Sequence, residues 1–194
     1  MKYLINILAI GLISLSSLSC SANIGASHAD QNPPKEEQAM KTGAAQTELN
    51  ISDNSFRGIT VGDNISSYAK SDYVQLETLK TGEGDFTVYV IKDFNNNPAG
   101  YFMSDPNDES RVGDITVQTR MAQTAEGIRV DSTLGDLRMR FPDIEVHGSE
   151  IEGRTYAHHN TLSYRLEVAS FSYEVDAAKI PADTKVTEII INRQ

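Results

Sequence analysis

Hydrophobic and polar positions along this chain follow two different periods. Over Tyr73–Leu79, Tyr73, Gln75 and Glu77 fall on one side of an extended segment and Val74, Leu76 and Thr78 on the other, the period of two that predicts a strand. Phe86–Phe94 (FTVYVIKDF) is a run of β-branched and aromatic residues, which predicts a second strand. The turn sequences Asn95-Asn96-Asn97-Pro98 and Asp105-Pro106-Asn107-Asp108 enclose a third over Gly100–Ser104, and Arg111–Val117 follows. Glu145–Ser149, Arg154–His159, Leu162–Phe171 and Lys185–Asn192 read the same way. The period changes at Thr133. Thr133-Leu134-Gly135-Asp136 has the form of a capping box, Leu134, Leu137 and Phe141 make one apolar helical stripe, and Pro142 stops the helix. A weaker helix is expected after Asp63 or Asn64, with Ile65 and Tyr68 turned inward.

Two stretches open alike. Gly58-Ile59-Thr60-Val61 leads to Ile65, and 69 residues later Gly127-Ile128-Arg129-Val130 leads to Leu134. Their closing strands, Arg111–Val117 and Lys185–Ile191, lie 74 residues apart. One small insertion reconciles the two offsets, and the match indicates an internal repeat. The expectation is an α+β fold: two tandem repeats, about 56–122 and 125–194, each a short helix followed by antiparallel strands. Together they would form a mostly antiparallel sheet with the helices on one face.

The first 50 residues belong to a different regime. Lys2 precedes the apolar run Tyr3–Leu15, small residues follow, and the only cysteine in the chain, Cys20, comes next. This is the layout of a secretory signal over Met1–Ser19, and Cys20 stands where bacterial lipoproteins carry their lipid. Acyl chains on Cys20 would hold the protein to a membrane. Residues 20–50 contain Pro33-Pro34, are rich in Ala, Ser, Asn, Gln and Glu, and lack an apolar period. They read as a flexible tether, which leaves 51–194 as a single domain.

Charge narrows the partners. With 17 Lys+Arg against 27 Asp+Glu the chain carries a formal charge of −10, which argues against nucleic acid and against anionic lipid beyond the anchor. A single cysteine allows no intrachain disulfide and no Cys-rich metal site.

The run Gly127-Ile128-Arg129-Val130-Asp131-Ser132-Thr133-Leu134-Gly135-Asp136-Leu137, with Leu162-Ser163-Tyr164-Arg165-Leu166 and Ile180-Pro181-Ala182-Asp183 ahead of Lys185–Ile190, resembles the envelope-stress (sigma-E) regulated lipoprotein family of Gram-negative bacteria. The resemblance covers roughly residue 86 to the C-terminus, together with the signal. It implies an outer-membrane lipoprotein domain whose molecular function is unknown, and it supplies no catalytic residue. Some relatives carry a cysteine pair after the main helix that this chain lacks.

Candidate chemistry is sparse. A hairpin turning at Glu152-Gly153 would set His147 opposite His158, with Glu145 and Tyr156 beside them, and two imidazoles with a carboxylate suit zinc or copper. The plainer reading is solvated strand histidines. Asp93-Phe94-Asn95-Asn96-Asn97 opens like a calcium loop, but Pro98 occupies the position of the required Gly and Ser104 that of the bidentate Glu. It reads as a turn. No Gly-x-Ser-x-Gly elbow and no phosphate-binding glycine loop are present. No catalytic residue and no cofactor are therefore expected. The expected function is a non-enzymatic, lipid-anchored binding module on the periplasmic side of the outer membrane. Its partner would be an envelope protein or a peptidoglycan or lipopolysaccharide component, with strand aromatics such as Tyr89, Tyr101, Tyr156, Tyr164, Phe171 and Tyr173 as the residues to watch. A small-ligand or metal-binding lipoprotein is the alternative, and a hydrolase comes third.

Overall fold

The computed structural model describes residues 49–82 and 84–194. The signal, Cys20 and nearly all of the expected tether lie outside the described residues. The elements, in order, are β1 (Leu49–Asn50), β2 (Ser55–Phe56), β3 (Ile59–Thr60), β4 (Val74–Thr81), β5 (Gly84–Lys92), β6 (Pro98–Asp105), β7 (Asp108–Val117) and β8 (Ala122–Gln123). Helix α1 (Leu134–Arg140), β9 (Glu145–Gly148), β10 (Thr155–His159), β11 (Leu162–Leu166) and β12 (Val186–Ile191) complete the domain.

Eight strands form one antiparallel sheet in the order β4-β5-β6-β7-β12-β11-β10-β9. Each half is a meander in which consecutive strands pair; short turns join all of them except β11 and β12, which a longer connection over 167–185 links. The halves meet where β7 and β12 pair Ile115 with Ile191, Thr116 with Ile190 and Val117 with Ile189.

The fold is mostly β, and this overturns the expected α+β architecture of tandem helix-plus-strand repeats with helices ranged on one face. Among the described residues there is a single α-helix of seven residues. The first half has only a 3₁₀ turn, Ile65–Ser67, where its helix was expected. The reason is local. The Val112 amide donates to the Asp63 carbonyl and the Gly62 amide to the Val112 carbonyl, both at 2.8 Å. The backbone that would start a helix is thereby held along β7, and Asn64 caps a single turn through its side-chain oxygen on the Ser66 amide at 2.9 Å.

Helix α1 forms as its sequence predicts. The Thr133 hydroxyl accepts from the Asp136 amide at 3.1 Å while the Asp136 carboxylate accepts from the Thr133 amide at 2.8 Å, so two orphan donors are satisfied together. Leu134 and Leu137 face inward and Phe141 closes the helix, all three buried.

One row of cross-strand partners runs through the covered side of the whole sheet: Val74, Ile91, Gly100, Val117, Ile189, Tyr164, Ala157 and Val146. No residue of that row carries a charge. Phe102, Ile115, Ile191 and Leu162 continue the apolar surface beside it. Over it lie Phe56, Ile59, Tyr68, Ala122, Ile128, Leu134, Leu137, Phe141 and Ile180 from the connecting segments and α1. Gly100 has no room for a side chain, because a Cβ there would stand 2.2 Å from the Thr116 carbonyl oxygen.

Candidate binding face

The residue beside each core residue in a strand points to the opposite side of the sheet. A second row therefore crosses all eight strands there: Gln75, Val90, Tyr101, Thr116, Ile190, Ser163, His158 and Glu145. Apart from Val88, which belongs to the same side but lies outside the core cluster, no helix or strand of the described residues is laid over this face. Val88 is buried beside Glu77, its partner on β4.

The two halves of the face differ in chemistry. On the β4–β7 side it is apolar and aromatic. Leu79 lies opposite Phe86, and Val90 opposite Tyr101. On the β9–β12 side it is a hydrogen-bonded polar lattice. Arg165 pairs with Glu188 at 3.0 Å, and Glu188 accepts from the Gln118 amide group at 2.7 Å. Glu152 accepts from the Tyr156 hydroxyl at 3.3 Å and pairs with Arg154 at 3.2 Å. Burial is the main reason the Tyr156 phenol is held above its ordinary titration range.

The histidines fall in this polar half, in a register two residues from the expected one. His147 lies opposite Tyr156, and His158 opposite Glu145. The displacement comes from the loop, where the Ser149 amide reaches the Arg154 carbonyl at 2.7 Å and the Gly153 amide reaches the Ser149 carbonyl at 3.0 Å. The pairing slips while the faces are kept, so both imidazoles remain on the same side with ring centroids 5.5 Å apart. Their partners are already engaged. His158 Nδ1 bonds the Ser163 hydroxyl at 2.8 Å, and His147 Nε2 lies 3.4 Å from the Glu145 carboxylate while its ring stacks on Tyr173 at 4.7 Å. Burial, followed by the neighbouring His147, holds the His158 imidazole below its ordinary pKa. Among the described residues no group of three or more His, Cys, Asp or Glu is disposed to hold a metal ion. His159 points to the covered side and stacks on Phe141 at 4.0 Å.

The calcium-like segment is a turn. The Asp93 carboxylate accepts from the Asn95 and Asn97 amides, both at 2.8 Å, and from the Asn97 side chain at 3.3 Å. These bonds, led by the Asn97 amide, hold its pKa below the usual carboxylate range. Beside it the Arg57 guanidinium lies between the Tyr73 and Phe94 rings, 4.5 Å from each centroid. The aromatics flagged in the sequence divide. Tyr164 is core, Tyr89 stacks on Phe102 at 4.8 Å on the covered side, and Tyr101 and Tyr156 stand on the uncovered face. Sequence periodicity missed the polar lattice, because Arg165 meets Glu188 only through the β11–β12 pairing and Gln118 meets it only at the β7–β12 seam.

These features define a class of domain: a single antiparallel sheet, covered on one side, that presents a half-apolar, half-polar surface on the other. No family model matches the chain, and no curated protein matches it. Among solved structures the chain is similar to the crystal structure of the uncharacterized protein yfeY from Escherichia coli, a distant neighbour at 14% identity with a TM-score of 0.48, over 76% of this chain and 100% of that one.

Proposed function

We propose that this protein is a non-enzymatic binding module of the bacterial cell envelope, lipid-anchored through Cys20 to the periplasmic side of the outer membrane, whose uncovered sheet face receives the partner. The observation that supports the reading is the chemistry of that face. An aromatic and aliphatic area lies next to a polar lattice whose charges already have partners, which is the mixture that protein interfaces use. The ionisable groups of its polar half are tied into pairs and hydrogen bonds, which favours recognition over catalysis. The resemblance to the envelope-stress regulated lipoproteins, and the signal ahead of Cys20, support a partner among envelope proteins or peptidoglycan or lipopolysaccharide components.

The anchor is tested by metabolic labelling with a palmitate analogue and by membrane fractionation. Wild-type protein should take up the label and follow the outer membrane, while the Cys20→Ser variant should lose both properties. A Cys20→Ser chain that labels and fractionates like wild type would reject the anchored reading.

A further inference from the structure

The two edges of the eight-stranded sheet are finished differently. Beyond β9, His147 bridges Glu174 in antiparallel fashion and the Gly148 amide donates to the Tyr173 carbonyl at 3.0 Å, so the chain covers that edge itself. At the opposite edge, β4 has β5 on one side and, among the described residues, no strand on the other. The Lys92 amide donates to the Tyr73 carbonyl at 2.8 Å. Alternation from that bond directs the backbone groups of Leu76, Thr78 and Lys80 away from β5. β4 contains no proline and pairs with β5 without a bulge, so it lacks two usual devices that blunt an open edge. The hairpin also exposes large apolar side chains: Leu76 is 61% exposed, Phe86 40% and Leu79 38%.

We propose that β4 is a homodimer interface at which two copies join edge to edge, antiparallel, about a two-fold axis through Leu79. The strand is self-complementary in that register. Leu79 meets the partner's Leu79, and because Leu79 already faces Phe86 across the hairpin, an apolar row of Phe86, Leu79, the partner's Leu79 and the partner's Phe86 runs across the joint. The outward backbone groups of Thr78 meet those of the partner's Lys80. Charge selects the same arrangement. The two Glu77 side chains end four residues apart, roughly 13 Å along the strand, and each Lys80 keeps Asp85 opposite it in its own hairpin. A register centred on Glu77 would set like carboxylates face to face, which is destabilising. The joint makes a continuous sixteen-stranded sheet and doubles the uncovered face. It goes beyond the envelope-binding reading and stands without the anchor.

Three measurements on the full chain test this. Sedimentation velocity at high micromolar concentration should give a dimer for wild type and half that mass for Thr78→Pro, which removes an amide that β5 does not use. Circular dichroism should be unchanged. If Thr78→Pro fails to fold, Leu79→Lys serves instead, with the same halving of mass expected. Under mild oxidation Leu79→Cys should give a disulfide-linked dimer, since directly opposed strand positions suit the bond. Glu77→Cys alone should not, while wild type controls for Cys20. A monomeric wild type, a folded variant that remains dimeric, or Glu77→Cys linking as readily as Leu79→Cys would overturn the proposal.

Discussion

The centre of the core contains a group the fold would be better without. Tyr164 on β11 lies between Ala157 and Ile189 in the sheet, is 0% exposed, and its hydroxyl has no hydrogen-bond partner. Burial, with Glu126 and Asp53 nearby, pushes its phenol far above the ordinary range, so the group is uncharged near neutral pH. An unpaired buried hydroxyl costs ~1–3 kcal/mol relative to its hydrated state. Tyr164→Phe removes that oxygen and keeps the ring and its 6.1 Å contact with Phe141. The expected result is a gain of about 1 kcal/mol, the low end because the small space left loses some packing. The assay is urea denaturation with both midpoint and slope fitted. The midpoint should rise at constant slope, with a Tm rise of about 2–4 °C for a domain of this size. A loss of about 1 kcal/mol or more would refute the reasoning, because it would mean that the hydroxyl has a partner.

Other sites respond through other physics. His158, with its folded pKa lowered chiefly by burial, contributes stability that is complete above the unfolded value of about 6.5 and is lost as pH falls through the lower folded value. An NMR titration should show its ring protonating below the ordinary histidine midpoint, and His147→Ala should move that midpoint up. Thr133→Ala removes one half of the α1 capping box and should cost about 1 kcal/mol in thermal or urea unfolding. Gly148→Ala would place a Cβ 2.2 Å from the Ser172 carbonyl oxygen. It should detach the segment covering the β9 edge, read as faster hydrogen exchange at the Gly148 amide, with a loss of ~1–3 kcal/mol.

What the sequence made legible was local. The Thr133 cap, the Leu134–Leu137–Phe141 stripe and Pro142 define α1 without any tertiary information, and Asp93 with its asparagines defines a turn. Strand-rich runs such as FTVYVIKDF announce themselves by side-chain type. The errors came from contacts between distant segments. Asp63 and Asn64 offer a helix start, yet Val112 takes the Asp63 carbonyl from 49 residues away and reduces the helix to a turn. The histidine register depended on where the 149–154 loop closes, which backbone hydrogen bonds decide and composition does not. The uncovered face was legible only in part. Alternation placed Gln75 and Glu77 together, but the row across all eight strands exists because β12 pairs with β7, and no local pattern encodes that seam.

The claim on which this account rests is that the uncovered sheet face receives the partner. The direct measurement is site-specific photo-crosslinking in living cells, with a photoreactive residue in place of Tyr101, Tyr156 or, as an exposed control on α1 over the covered side, Met139. Discrete adducts to the same envelope component are expected from positions 101 and 156 and none from 139. Adducts from position 139 with silence at 101 and 156 would contradict that claim.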